Sequence, residues 1–198
     1  MIEFLNSNHV KPFVIFKDKY DNAIELGQKN AEAVSISSFS KSSNEVNARF
    51  VNLKILDNED FIFFSNYNSQ KSIDFKEHDQ ITALFFWSSI NTQIRIKALL
   101  KKTPSEFNNK YFIKRSNQKN ALAISSDQSK LIDSFDTVHK KYNEVLKSGN
   151  LSNCPDYWGG YLFNPYYFEF WEGHESRLNK RDVYEFKNGN WVNYLLQP

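Results

Sequence analysis

Apolar positions recur at helical spacing through Phe13, Phe16, Tyr20, Ala23, Ile24 and Leu26, between Pro12 and Gly27, and this predicts a first helix. A weak two-residue alternation follows at 31–37, which reads as a strand, and residues 38–44 are a turn rich in Ser and Asn. Residues 47–56 and 61–65 predict a strand hairpin about the polar link Asp57-Asn58-Glu59-Asp60. Ser69 can cap a helix running to His78, with Ile73 and Phe75 inward. The apolar run 81–87 predicts a buried strand, with Phe85, Phe86 and Trp87 in the core. In 92–100, Gln93, Arg95 and Lys97 alternate with Ile94, Ile96 and Ala98. Pro104 opens a helix carrying Phe107, Tyr111 and Phe112, and a short helix is expected at 118–125. A longer helix over 128–147 would bury Leu131, Ile132, Phe135, Val138, Tyr142 and Leu146. Residues 149–156 read as a loop, 158–163 and 166–172 as two strands, and 182–186 with 191–196 as a hairpin turning at Asn188-Gly189, where Trp191 packs. Residues 1–10 show no pattern and read as a flexible lead-in.

The order has no βαβ rhythm, and six glycines form no glycine-rich loop, which argues against a Rossmann or P-loop nucleotide site. What fits is a mainly β, α+β domain spanning residues 1–198: an antiparallel barrel with helices packed at its edges.

Composition narrows the partners. A net charge of +2 and the lack of a basic tract argue against nucleic acid. No stretch reaches membrane-span length, and the first ten residues lack the pattern of a signal peptide, so a cytoplasmic protein is expected. The single Cys154 excludes an intrachain disulfide and reads as inert. An aromatic content of 16% gives flat apolar surface for a barrel core, a subunit interface or a ring-binding site.

Candidate chemistry begins with arginine. Of 25 Lys plus Arg, five are arginine: Arg49, Arg95, Arg115, Arg177 and Arg181. Two of them follow Phe168-Glu169-Phe170-Trp171-Glu172-Gly173, four residues apart. The guanidinium fork holds phosphate or carboxylate in a bidentate way that lysine cannot copy, although a surface ion pair with Glu172 or Glu175 accounts for the pair equally well. Arg95 likewise reads as a strand ion pair or a ligand contact. His9, His78, His139 and His174 lack metal-ligand spacing, and no nucleophile–base pair stands out. Dispersed Arg, Lys, Gln and Ser among aromatics suit a phosphorylated aromatic cofactor that brings its own reactivity.

Seven segments in order carry a family resemblance: Arg49-Phe50-Val51-Asn52-Leu53-Lys54; Phe63-Phe64-Ser65-Asn66 with Ser69-Gln70-Lys71; Gln93-Ile94-Arg95-Ile96; Tyr111-Phe112-Ile113-Lys114-Arg115; Gln128-Ser129; Trp158-Gly159-Gly160; and Phe168 through Arg181. The chain resembles pyridoxine/pyridoxamine 5'-phosphate oxidase from Pro12 to Pro198. The resemblance implies a Greek-key split β-barrel homodimer with FMN between the subunits. It implies an FMN phosphate held by Arg49, Ser65 and Lys71 with Gln128 and Ser129, near Phe64 and Gln70. Backbone of Phe50, Val51, Asn52 and Leu53 would run along the flavin, and Gln93, Trp171 and Arg181 would also touch it. Lys54, Tyr111, Arg115 and Lys119 would hold the substrate phosphate, with Arg177 and Asn179 at the reacting ring. The implied reaction oxidises pyridoxamine or pyridoxine 5'-phosphate to pyridoxal 5'-phosphate, with dioxygen as acceptor and hydrogen peroxide released.

The chain departs from the family pattern at several places. Asn179 stands for a histidine in the tail, and Lys119 for a serine that meets substrate phosphate. Gln70 replaces an arginine near the FMN phosphate, Phe64 a tyrosine, and Asn120-Ala121-Leu122-Ala123-Ile124 the usual Gln-Ile-Gly-Ala-Trp. Two alternatives follow: an FMN oxidoreductase of phenazine-pathway type, and a non-catalytic flavin- or pyridoxal-phosphate-binding protein.

Overall fold

The computed structural model describes residues 1–148 and 150–198. The elements in order are β1 (Glu3–Leu5), α1 (Lys11–Glu25), β2 (Ala33–Ser40), β3 (Glu45–Asp57), β4 (Asp60–Asn66), α2 (Gln70–Glu77) and β5 (Gln80–Trp87). After a 3-10 turn come β6 (Thr92–Lys102), α3 (Ser105–Ile113), α4 (Asn117–Ser125), α5 (Phe135–Ser148), β7 (Trp158–Glu172), β8 (Lys180–Lys187) and β9 (Asn190–Leu196). The strand order is β1-β3-β2-β5-β6-β7-β8-β9, and β4 pairs with both β3 and β7. The pairings β3–β2–β5–β6–β7–β4 therefore return to β3, enclosing the core. All are antiparallel except β1 on β3.

The core is aromatic. Phe16 of α1 is fully buried, with its ring centre 5.0 Å from that of Phe61, 5.3 Å from Phe85 and 5.5 Å from Trp87. Pro12, Phe13, Phe16, Tyr20 and Ala23 form the buried stripe of α1, at the spacing that puts one helix face inward. Burying a Phe contributes about 1.5–3 kcal/mol, so Phe16→Ala, which also leaves a cavity, costs about 3–5 kcal/mol. Gly27, at φ 81, ends α1 as expected, and Asn188 (φ 51) with Gly189 (φ 81) makes the tight β8–β9 turn. Among the described residues, no helix is long and apolar enough to cross a membrane.

Several expectations are corrected. The lead-in at 1–10 is tied down: β1 pairs with Ile55–Asp57, Ile2 is buried, and its N–H donates to the Tyr20 hydroxyl at 2.9 Å. Residues 158–163 and 166–172 are one strand: Lys97 pairs with Tyr167 and Ala98 with Pro165, so Tyr166 is the extra residue of a bulge that carries β7 through Pro165. Helix α5 starts at Phe135, not 128. Of the residues expected to be inward, Leu131, Ile132 and Phe135 are exposed, and Val138, Tyr142 and Leu146 are half-buried. Phe86 and Ile73 are exposed rather than core, since each points away on an element whose other face is packed. Of the expected loop at 149–156, Gly149 lies outside the described residues.

Candidate active site

A cleft of about 1100 Å³ opens where β3, β4, the start of α2, the α3–α4 region and the 126–129 segment meet. It gathers Arg49, Phe50, Val51, Asn52, Lys54, Phe64, Ser65, Gln70, Lys71, Tyr111, Arg115, Lys119, Gln128 and Ser129 from the sequence-derived set. Six do not line the cleft: Gln93, Trp171, Arg177, Asn179 and Arg181 lie on the β6–β8 face and its loop, and the sixth is Leu53. Leu53 is fully buried in the core, one residue from cleft-lining Lys54, as alternation along β3 requires.

One end of the cleft is built on a buried lysine. Lys71, in the first turn of α2, donates Nζ to Ser65 Oγ and Ser69 Oγ, each at 3.1 Å. Burial, and then the Arg49 charge, bring its ammonium down to about 8. Arg49 is held by Asp74, with Nη2 to Oδ2 at 3.3 Å, and donates Nη1 to Ser38 Oγ at 2.7 Å and to the Ile36 carbonyl at 3.2 Å. Burial pulls Arg49 below its ordinary value, and Asp74 opposes that.

The other end carries Lys54, Arg115 and Lys119. Burial lowers Lys54, Glu32 opposes this, and the like charges of Lys119 and Arg115 lower it further. Arg115 lies over Trp158, with Cζ 4.3 Å from the ring centre, and donates Nη2 to the Lys119 carbonyl at 3.1 Å. Its Nη1 is a buried donor with no protein partner. Tyr111 stacks on Phe64 at 3.8 Å between ring centres, and Phe64 stacks on Trp158 at 5.1 Å. The phenylalanine at 64 thus keeps the stacked wall without a hydroxyl.

The Trp158-Gly159-Gly160 segment sets that wall. A Cβ on Gly159 would collide with Tyr67 and Asn108, and one on Gly160 would come 2.6 Å from Thr103 Oγ1. Asn108 Oδ1 accepts from the Gly160 N–H at 2.8 Å and from Thr103 Oγ1 at 2.5 Å, while Asn108 Nδ2 donates to the Tyr67 hydroxyl at 3.1 Å. This network fixes α3, and with it Tyr111 and Arg115, against β7.

On the β6–β8 face, Gln93 pairs in register with Trp171, and Trp171 with Arg181. Arg95, expected as either an ion pair or a ligand contact, pairs with buried Glu169, which also takes Arg181 Nε at 2.8 Å and the Tyr167 hydroxyl at 2.9 Å. Burial pushes the Glu169 carboxyl up, but the hydrogen bonds from Arg181, Arg95 and Tyr167 outweigh it and hold it below its usual range. Arg177 is exposed, and Asn179 Oδ1 accepts from the His174 N–H at 3.0 Å, so Asn179 shapes the loop that presents Arg177.

Backbone conformation singles out two of these residues. Eight described non-glycine residues have positive φ; six are Asn, and the others are Ser129 (φ 72) and Arg177 (φ 61). Asn tolerates this region, whereas Ser and Arg adopt it at a cost that gathers at functional sites.

Asp74 and Glu169 escaped the sequence reading. Asp74 lies four residues after Gln70 on α2, and Gln70 Nε2 donates to its Oδ1 at 3.2 Å, a spacing visible in the sequence. Glu169 lies in the Phe168–Arg181 segment, but its partners come from other strands.

Two groups of cationic donors in one cleft with an aromatic wall have the chemistry that suits phosphorylated ring compounds. The pyridoxamine 5'-phosphate oxidase model matches residues 16–148, and the model described as pyridoxine 5'-phosphate oxidase C-terminal dimerisation region matches 158–198. A pyridoxine/pyridoxamine 5'-phosphate oxidase of Hydrogenovibrio crunogenus is 38% identical over 192 residues, covering 94% of this chain and 88% of that one. One from Leptospira biflexa is 33% identical, covering 94% and 89%. The solved structure of PhzG from Burkholderia lata, in complex with tetrahydrophenazine-1-carboxylic acid, superposes with a TM-score of 0.90 at 23% identity, covering 94% of this chain and 92% of that one. The chain belongs to the pyridoxine/pyridoxamine 5'-phosphate oxidase family.

Proposed function

We propose that this protein is an FMN-dependent oxidase converting pyridoxamine or pyridoxine 5'-phosphate to pyridoxal 5'-phosphate, and that it works as a homodimer. The observation that carries this reading is the pair of separated cation groups in one cleft. The FMN phosphate would lie against Arg49, Ser65 and Lys71, with Gln128 and Ser129 beside them. The substrate phosphate would lie against Lys54, Tyr111, Arg115 and Lys119. The donor set fits: Arg115 Nη1 is a buried N–H without a protein partner, and a phosphate oxygen satisfies it.

FMN bound there supplies a two-electron acceptor that dioxygen reoxidises with release of hydrogen peroxide. This chain's own residues bind and orient. Lys71 and Arg49 anchor one phosphate, and Lys54, Arg115 and Lys119 anchor the other. The Phe64–Trp158 wall, with Tyr111 on it, shields the substrate end from water. Such chemistry depends on alignment of the bound groups.

Gln93, Trp171, Arg177, Asn179 and Arg181 reach the cofactor when a second copy lays its β6–β8 face over the cleft. The match of 158–198 to a dimerisation region supports this, and so does the exposure of Phe50 (75%) at the cleft and Phe86 (57%) on β5. The closed circuit of strand pairings supports a Greek-key split barrel. Asn179 occupies the family's histidine position with its oxygen already engaged, so Arg177 is the cationic group left to meet the substrate ring. The test is turnover of both vitamer phosphates by purified yellow protein, followed as pyridoxal 5'-phosphate and peroxide. Yellow protein that turns over neither leaves the phenazine-type oxidase or the flavin-holding protein.

A further inference from the structure

Asp74 is fully buried on α2, and four side chains donate to it: Ser38 at 2.8 Å, Gln70 at 3.2 Å, Arg49 at 3.3 Å and Asn47 at 3.4 Å. A carboxylate under an anion site works against the anion unless it orders the cations around it. Arg49 and Lys71 both line this end of the cleft, and each raises the cost of charging the other. Gln70, also at the cleft, is neutral where the family pattern has a cation, so Asp74 faces one guanidinium rather than two.

We propose that Asp74 is the positioning residue of the cofactor-phosphate site, aiming Arg49 and offsetting the mutual repulsion of Arg49 and Lys71. The proposal rests on the reading of this cleft as an FMN site. Asp74 touches no phosphate. It fixes Arg49 from below, through Nη2 directly and through Nη1 by way of Ser38. The charged groups acting on Lys71 are Arg49 from β3, which disfavours its ammonium, and Asp74 from its own helix, which favours it; Ser65 from β4 and Ser69 add neutral contacts. Removing the Asp74 charge therefore has two separable consequences. Arg49 loses its direction, which weakens phosphate binding at every pH. Lys71 loses its counter-charge, so its ammonium deprotonates at lower pH.

The experiment measures FMN binding to apoprotein by flavin fluorescence between about pH 6 and pH 10, with riboflavin as the phosphate-free reference. Wild-type affinity for FMN falls above about pH 8, where free Lys71 deprotonates. In Asp74→Asn that fall begins at lower pH by about one unit, and affinity at neutral pH drops about tenfold, while riboflavin binding stays unchanged. Asp74→Glu keeps the charge and the wild-type pH limb but binds FMN more weakly throughout. Gln70→Arg, at an exposed position that does not threaten folding, adds a cation near Lys71 and competes for Asp74, and it too moves the limb to lower pH. A pH limb unmoved in Asp74→Asn, or in Gln70→Arg should the former not fold, overturns the proposal. Wild-type protein without affinity for FMN overturns the reading of the cleft, and the proposal with it.

Discussion

Arg181 on β8 donates Nε to Glu169 on β7 at 2.8 Å, and the same buried carboxylate pairs with Arg95 on β6. One acid thus ties three neighbouring strands and aims the arginine assigned to the flavin. Glu169→Gln keeps the shape and removes the charge. It is expected to cost about 2 kcal/mol in urea unfolding, below the usual figure for breaking a buried pair because both arginines are partly exposed. The sign with pH is fixed by the lowered folded-state value of Glu169. Its contribution is present above the ordinary carboxylate range and lost as pH falls through the folded value. The variant should therefore lose less stability than wild type on acidification below about pH 4.5.

Lys71 behaves in the opposite sense to a lysine that gains a partner. Its folded-state value, near 8, lies below the unfolded one, so the ligand-free protein should gain stability as pH rises from about 8 to 10.5. Lys71→Met removes the buried ammonium, and should stabilise apoprotein at neutral pH by about 2 kcal/mol while abolishing FMN binding. Urea unfolding at two pH values and a flavin titration check both halves.

Arg177 holds φ 61 on an exposed loop. Asn tolerates that conformation, so Arg177→Asn should leave stability equal or raise it by about 0.5–1 kcal/mol. Turnover should nevertheless fall at least about tenfold, through the loss of the guanidinium assigned to the ring. Thermal unfolding and peroxide release together check this trade.

Gly160→Ala drives a methyl into Thr103 beside the Asn108 network. A cost of about 1–3 kcal/mol is expected, together with a raised KM for the phosphorylated substrate, because α3 carries Tyr111 and leads directly into Arg115. Circular dichroism melts and substrate titrations check the two effects.

The sequence made much of this legible for identifiable reasons. Period-two alternation put Gln93, Arg95 and Lys97 opposite Ile94, Ile96 and Ala98, and β6 has that arrangement. The residues assigned to the two phosphates come from β3, β4, α2, α3, α4 and the 128–129 turn, and all line one cleft. What was not legible depended on distant partners. Residues 158–163 and 166–172 read as two strands because the bulge at Tyr166 that joins them shows only in the pairing with β6. Asp74 drew no notice in the sequence because Arg49 and Ser38, which donate to it, are 25 and 36 residues away. The amphipathic pattern of α5 was visible, but not that Phe135 stays exposed and Val138, Tyr142 and Leu146 are only half-buried.

The most direct test is anaerobic addition of pyridoxamine 5'-phosphate to the yellow protein, followed by admission of air. The flavin absorbance band should bleach as pyridoxal 5'-phosphate appears, then return in air with release of hydrogen peroxide. A flavin band unchanged by either vitamer phosphate would contradict the account.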